Sequence, residues 1–251
     1  MAQGCYGGRV PSRFRDRTIR VAAHLEFAFP ESACGIDDRV LVSNTTQVPW
    51  RCICQLIVEG LHGAQILGTG WLAGPHTIIT AGHNLYSTIQ GTVASQIWIF
   101  PGRNDDAVPF GFFTTDHFEV HPRWQESGDP MFDYGAVFLD QPLGNQIGWF
   151  GYSALSDPAL NRLLVNNAGY PADKPLGTLW YNAGRIDHVD QRMLVYGLDT
   201  EPGQSGSPIF YYDAQQNRIV VAIHAYGGCP ENRGIRITPE VYQQITAWSN
   251  A

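Results

Sequence analysis

At 251 residues the chain is long enough for one large domain or two small ones, and 44% hydrophobic with 16% charged residues suits an ordinary globular fold. A formal net charge of −7 argues against a nucleic-acid binder, which concentrates Lys and Arg. No uninterrupted apolar run approaches the roughly 18 residues of a membrane-spanning helix, and 27 Gly with 16 Pro favour short strands joined by turns.

Residues 1–31 stand apart. Five arginines (Arg9, Arg13, Arg15, Arg17 and Arg20) against Asp16, Glu26 and Glu31 give this segment a net +2 and leave −9 on the rest. It lacks the apolar core of a secretory signal and reads as a propeptide or a disordered arm, whose charge would let it dock on the acidic body. From Arg51 the pattern turns to strands, predicted at 53, 56–58, 66–72, 77–80, 96–100, 117–120 and 135–139. Cys52 and Cys54 fall on one face of a strand and read as buried free thiols. Residues 144–152 form a plausible crossover to a second set at 163–165, 178–181, 193–198, 208–211 and 218–224. A helix closes the chain: Thr238 as N-cap, Pro239 in the first turn, Glu240 toward the dipole, then an apolar face of Val241, Ile245 and Trp248.

Between the strands of the second set lies Asp199-Thr200-Glu201-Pro202-Gly203-Gln204-Ser205-Gly206-Ser207-Pro208. A serine hydroxyl becomes a nucleophile only beside a base that a third group orients, with backbone donors where negative charge develops. Gly203 and Gly206 release the backbone so that the amides of Gly203 and Ser205 converge. The bland alternative is a glycine-rich turn with an ordinary serine. His83, at a strand end after Ala81-Gly82, is the candidate base, since imidazole titrates near neutrality. It competes with seven other histidines, and its local sequence sets it apart. Asp133 leads the apolar run Gly135 to Leu139, and a carboxylate there needs a partner that an imidazole N–H supplies. Asp129 and Asp140 lead no such run. The order His83, Asp133, Ser205 excludes nucleophile-elbow hydrolases, which run Ser, acid, His and need Gly where Ser207 stands. It matches the chymotrypsin-like double β-barrel.

Residues 32–250 resemble the bacterial glutamyl endopeptidases of the chymotrypsin-like clan. The matching stretches include Gly35-Ile36-Asp37-Asp38-Arg39, Asn44-Thr45-Thr46, Thr80-Ala81-Gly82-His83, Pro101-Gly102-Arg103-Asn104, Asp133-Tyr134-Gly135-Ala136, Gly203 to Pro208, and Asn232-Arg233-Gly234. The resemblance implies an all-β fold, a chymotrypsin-like double six-stranded β-barrel with a C-terminal α-helix. It divides the chain into a 1–31 propeptide or arm, an N-terminal barrel at 32–145 and a C-terminal barrel at 146–251, with the active site between the barrels. It implies His83, Asp133 and Ser205 as base, orienter and nucleophile. Gly203 and Ser205 would supply the oxyanion hole, and Thr200 and His224 would bind the substrate's P1 carboxylate. Cleavage after Glu31 would expose the α-amino group of Ser32 near that pocket, as in a zymogen. The implied activity is hydrolysis of protein or peptide substrates after Glu, with Asp as a further candidate, by a secreted monomer needing no metal or organic cofactor. The alternatives are the same chemistry with another P1 choice, or a catalytically silent binding module.

The chain departs from that pattern in four places. Asn84 stands where relatives often carry a disulfide cysteine, and the partner region Leu67-Gly68-Thr69 lacks one too. Pro202 replaces a usual Gly, and Tyr226 to Glu231 is shorter. Finally, Cys34 and Cys229 fall on segments that the resemblance brings near one another, which makes their pairing a candidate bridge.

Overall fold

The computed structural model describes residues 8–14, 35–60, 65–87 and 92–250. Its backbone forms two large sheets. In the first, hydrogen-bonded neighbours run Phe118–Val120, Gly135–Phe138, Thr77–Thr80, Gln65–Leu72, Ile53–Gly60, Thr92–Pro101 and Tyr86–Ser87, with Phe113–Thr115 added to Thr92–Pro101. The central strand Ile53–Gly60 is buried on both faces. Side chains alternate along a strand: Leu56 and Val58 enter the main core, while Ile57 points the other way and packs with Phe100, Val10 and Phe14.

The second sheet runs Gly151–Tyr152, Arg218–Tyr226, Pro208–Tyr212, Leu164–Gly169, Trp180–Val189, Met193–Tyr196 and Asn232–Arg236. Asn232–Arg236 also pairs back onto Arg218–Tyr226, so six strands close into a ring. The expected pair of six-stranded barrels is therefore one closed barrel and one half-barrel, because the end strands of the first sheet do not meet among the described residues. Val40–Leu41 precedes the first sheet in the chain yet adds to the second, opposite Tyr181 and Trp180.

The closing helix, Pro239–Ser249, is built as its sequence requires. Thr238 Oγ1 accepts from Val241 N, and Val241, Ile245 and Trp248 are buried. Trp248 Nε1 donates to Glu119 Oε2 at 2.6 Å and its carbonyl accepts from Thr77 Oγ1, which clamps the helix of the second half onto the first sheet. Residues 8–14, inside the segment expected to be a propeptide or arm, lie on the first sheet. There Gly8–Arg9 pairs with Ala107–Val108, and Val10 and Phe14 are fully buried. Cys52 and Cys54 are buried free thiols, as expected. Burial pushes the Cys52 thiol up to about 11. Cys229 is disulfide-bonded. Its expected partner, Cys34, lies outside the described residues.

Candidate active site

Thr77–Thr80 pairs antiparallel with Gly135–Phe138, Thr80 opposite Gly135, so the residues just after one strand and just before the other meet at the same end. Those residues are His83 and Asp133. His83 sits in the 3-10 turn Gly82–Asn84. A Cβ on Gly82 would stand 2.8 Å from Trp124 and 2.9 Å from Asp133 Oδ1, so only glycine lets the turn approach the carboxylate. Asp133 is fully buried. Its Oδ1 accepts from the His83 backbone N at 2.7 Å and its Oδ2 faces His83 Nδ1 at 2.6 Å. Two contacts from one residue fix both the position and the ring orientation of the imidazole. The competing carboxylates have other places: Asp129 caps the turn Pro130–Phe132 through Met131 N, and Asp140 is exposed.

Ser205 comes from the second sheet, and the first sheet holds it. Its carbonyl accepts from Thr69 N at 2.9 Å and from Asn84 Nδ2 at 2.8 Å, so the residue beside His83 is stapled to Ser205. Gly203 and Gly206 take φ of 99° and 90°. A Cβ on Gly206 would lie 2.1 Å from Thr69 O, and one on Gly203 would lie 2.6 Å from Tyr170 O. Both glycines are thus required by conformation and by space. Pro202 fits the loop, its carbonyl accepting from Ala172 N. Gln204 is buried and its Oε1 accepts from Arg39 Nη1 at 3.1 Å.

The same loop is joined to His224, which donates its backbone N–H to Ser207 O and accepts from Gly206 N at 2.7 Å. His224 is fully buried and its Nδ1 meets the Tyr196 hydroxyl at 2.7 Å. Thr200 is fully buried too, and its Oγ1 has no hydrogen-bond partner among the described residues. Beyond His224, a cavity of about 140 Å³ is walled by Tyr226 to Glu231 and Arg233. Ser32 lies outside the described residues.

Sequence reasoning missed four side chains. Thr69 backs the Ser205 loop, and Tyr196 supports His224. Asn84 was noted only for the cysteine it replaces, and Tyr226 only as the start of a pocket wall. The Tyr226 hydroxyl donates to Asp133 Oδ2 at 2.5 Å. None of the four carries a local sequence signal, because each acts on a residue of a distant segment.

The trypsin family model matches residues 41–250. A glutamyl endopeptidase of Bacillus licheniformis is 39% identical over 230 residues, covering 88% of this chain and 70% of that protein. The chain belongs to the trypsin family. It is a chymotrypsin-like serine endopeptidase. A solved glutamyl endopeptidase structure superimposes with a TM-score of 0.78 at 25% identity, covering 87% of this chain and all of that one. A Bacillus subtilis protein named an extracellular metalloprotease is 34% identical and covers 99% of this chain and 77% of its own. Among the described residues no three His, Cys, Asp or Glu side chains gather as metal ligands, so they do not fit the metal which that name implies.

Proposed function

We propose that the chain is a glutamyl endopeptidase working through His83, Asp133 and Ser205. The observation that carries the specificity is a pair of buried polar side chains beside the Ser205 loop: the Thr200 hydroxyl, without a partner among the described residues, and the His224 imidazole, held from behind by Tyr196. A buried hydroxyl without a partner is costly, and a substrate carboxylate satisfies it. With the Tyr196 O–H donating to Nδ1, His224 carries its proton on Nε2 and donates to the same carboxylate. The carboxylate's charge strengthens that bond.

In the reaction, Ser205 Oγ attacks the carbonyl after the P1 residue and His83 Nε2 takes its proton. Asp133 Oδ2, accepting from Nδ1, stabilises the imidazolium that forms. The amides of Gly203 and Ser205 hold the developing oxyanion. The imidazolium then protonates the leaving amine, and water, activated by the same base, releases the acyl group. Glu31-Ser32 is itself a Glu-Xaa bond. Secretion and release of the 1–31 segment by self-cleavage belong to the same reading.

The test is cleavage of a peptide library by the full chain and by the chain beginning at Ser32, beside Ser205→Ala versions of both. Cuts confined to Glu-Xaa bonds and reduced at least about 10⁴-fold in the Ser205→Ala control are expected. Serine-dependent cuts elsewhere would keep the triad and discard Thr200 and His224 as readers of Glu. His224→Ala should lower kcat/KM for P1-Glu peptides about 10- to 100-fold, the size of one charge-assisted hydrogen bond, and leave P1-neutral peptides nearly unchanged. Equal losses on both would make His224 structural.

A further inference from the structure

Asp133 is fully buried, and three donors converge on its two oxygens. Two belong to His83. The third, the Tyr226 hydroxyl, comes from the other sheet, 93 residues away in sequence, and shares Oδ2 with the imidazole. Its placement depends on an irregularity in the strand Arg218–Tyr226. His224 pairs with Gly234 and Tyr226 with Arg233, so Ala225 is an extra residue in the ladder. A bulge of this kind breaks the two-residue alternation and re-aims the next side chain. Without it, His224 and Tyr226 would share a face. With it, His224 turns to Tyr196 and Tyr226 turns to Asp133.

We propose that Tyr226 is a positioning residue for catalysis: its hydroxyl holds the Asp133 carboxylate and sets how strongly that carboxylate pairs with His83. The inference rests on the triad reading above. Tyr226 donates a proton that it does not lose: burial, and then the adjacent Asp133 charge, push its phenol far above the ordinary range. The groups around the carboxylate are His83 from the turn after Thr77–Thr80, Tyr226 from the second sheet and Asp129 from its own loop. The Tyr226 ring also lies against the His83 imidazole, with centroids 6.2 Å apart, while Trp124 stands at 6.5 Å. One hydroxyl thus fixes the anion while its ring restrains the base.

Tyr226→Phe removes one oxygen and keeps the ring. The space left is too small for a water, so Oδ2 keeps only the His83 contact. With its charge no longer shared, the carboxylate favours the imidazolium more. In full-length chain, with kcat normalised to the sites labelled by a fluorophosphonate, kcat should fall about tenfold and KM should stay within about twofold. The acid limb of kcat/KM should move to higher pH, and the His83 Nδ1–H proton resonance should move downfield. A fluorinated tyrosine at 226, a stronger donor, should move the acid limb to lower pH, and it serves if Tyr226→Phe fails to fold. A labelled variant with unchanged kcat and unchanged acid limb overturns the proposal. So does a rise in KM at constant kcat, which would make Tyr226 a wall of the substrate cleft. A wild-type chain that takes no label at Ser205 removes the triad reading and this one with it, whereas the first two outcomes leave the triad standing.

Discussion

Asn84 occupies the place that the resemblance gives to a disulfide, and its neighbours explain why the chain does without one. A Cβ on Gly68 would stand 2.5 Å from Asn84 Nδ2, so the amide fills the space between the strand Gln65–Leu72 and the turn Gly82–Asn84. It donates to Thr80 Oγ1 at 3.0 Å and to Ser205 O at 2.8 Å. In place of a covalent tie inside one sheet, hydrogen bonds reach the Ser205 loop of the other. Asn84→Ala should therefore destabilise by about 1–2 kcal/mol and lower kcat more than the loss of a remote hydrogen bond would. Urea unfolding and kcat measured on the same preparation check this, and an unchanged kcat would make Asn84 a packing residue alone. The residues of the proposed triad are those whose signal is written locally in the sequence. His83 follows small residues at a strand end, Asp133 leads an apolar run, and Ser205 is framed by glycines. Tyr226, Tyr196 and Asn84 were not legible, since each acquires its role through a contact 93, 28 or 121 residues away.

At the scale of elements, the strands read from alternating or apolar runs are present, and the one that closes the barrel was missed. Asn232–Arg236 reads Asn-Arg-Gly-Ile-Arg, with a single apolar side chain, and is a strand because it has a neighbour on each side. Trp180–Val189 is likewise longer than its apolar start suggests, its polar end held by Met193–Tyr196. The segment Asp37-Asp38-Arg39, known from sequence only as part of the resemblance, is a brace. The Arg39 guanidinium is buried and binds Asp37, Asp173 and Gln204, while Asp38 N donates to Asp199 Oδ2. It ties the chain before the first sheet to the loop that carries Ser205. Breaking a buried ion pair costs about 3–5 kcal/mol. Asp37 and Asp173 are about a third exposed and regain water, so Arg39→Gln should cost nearer 2 kcal/mol. Its mark should be a lower kcat, as Gln204 loses its hold beside Ser205. Hydrogen bonds from Arg39 and then Lys174 keep the Asp37 carboxyl well below the usual carboxylate range. A depressed value adds stability that is present above about pH 4 and lost as pH falls through the folded value. Asp37→Asn should lower stability above about pH 4 and flatten the acid limb of the unfolding curve, its cost shrinking as pH falls from there toward the folded value; a parallel drop at every pH would deny the linkage.

The whole molecule places the proposed triad on the seam between two sheets, and the chain crosses that seam at both ends: Val40–Leu41 joins the second sheet and Pro239–Ser249 returns to the first. Residues 8–14 add a third layer on the outer face of the first sheet. Val10 and Phe14 are fully buried there with Ile57 and Phe100, and the Arg13 guanidinium stands 4.1 Å over the Trp98 ring. Arg103 Nη2 donates to Phe14 O, and Arg103 O accepts from the Tyr170 hydroxyl, whose own carbonyl backs Gly203. Burying a Val and a Phe is worth about 1.5–3 kcal/mol each, so a cut after Glu31 would not by itself free residues 8–14. After self-cleavage, native mass spectrometry should find the 1–31 peptide still bound, and Phe14→Ala should release it. The chain beginning at Ser32 should melt lower than the cleaved full chain. The thiol count then says what else holds the peptide. With Cys34 bonded to Cys229, Cys34→Ser frees a thiol and raises the denatured, unreduced count from three to four, and the peptide is held by packing alone. With Cys5 as the partner the same substitution lowers the count to two, and the peptide survives denaturation until a reductant is added.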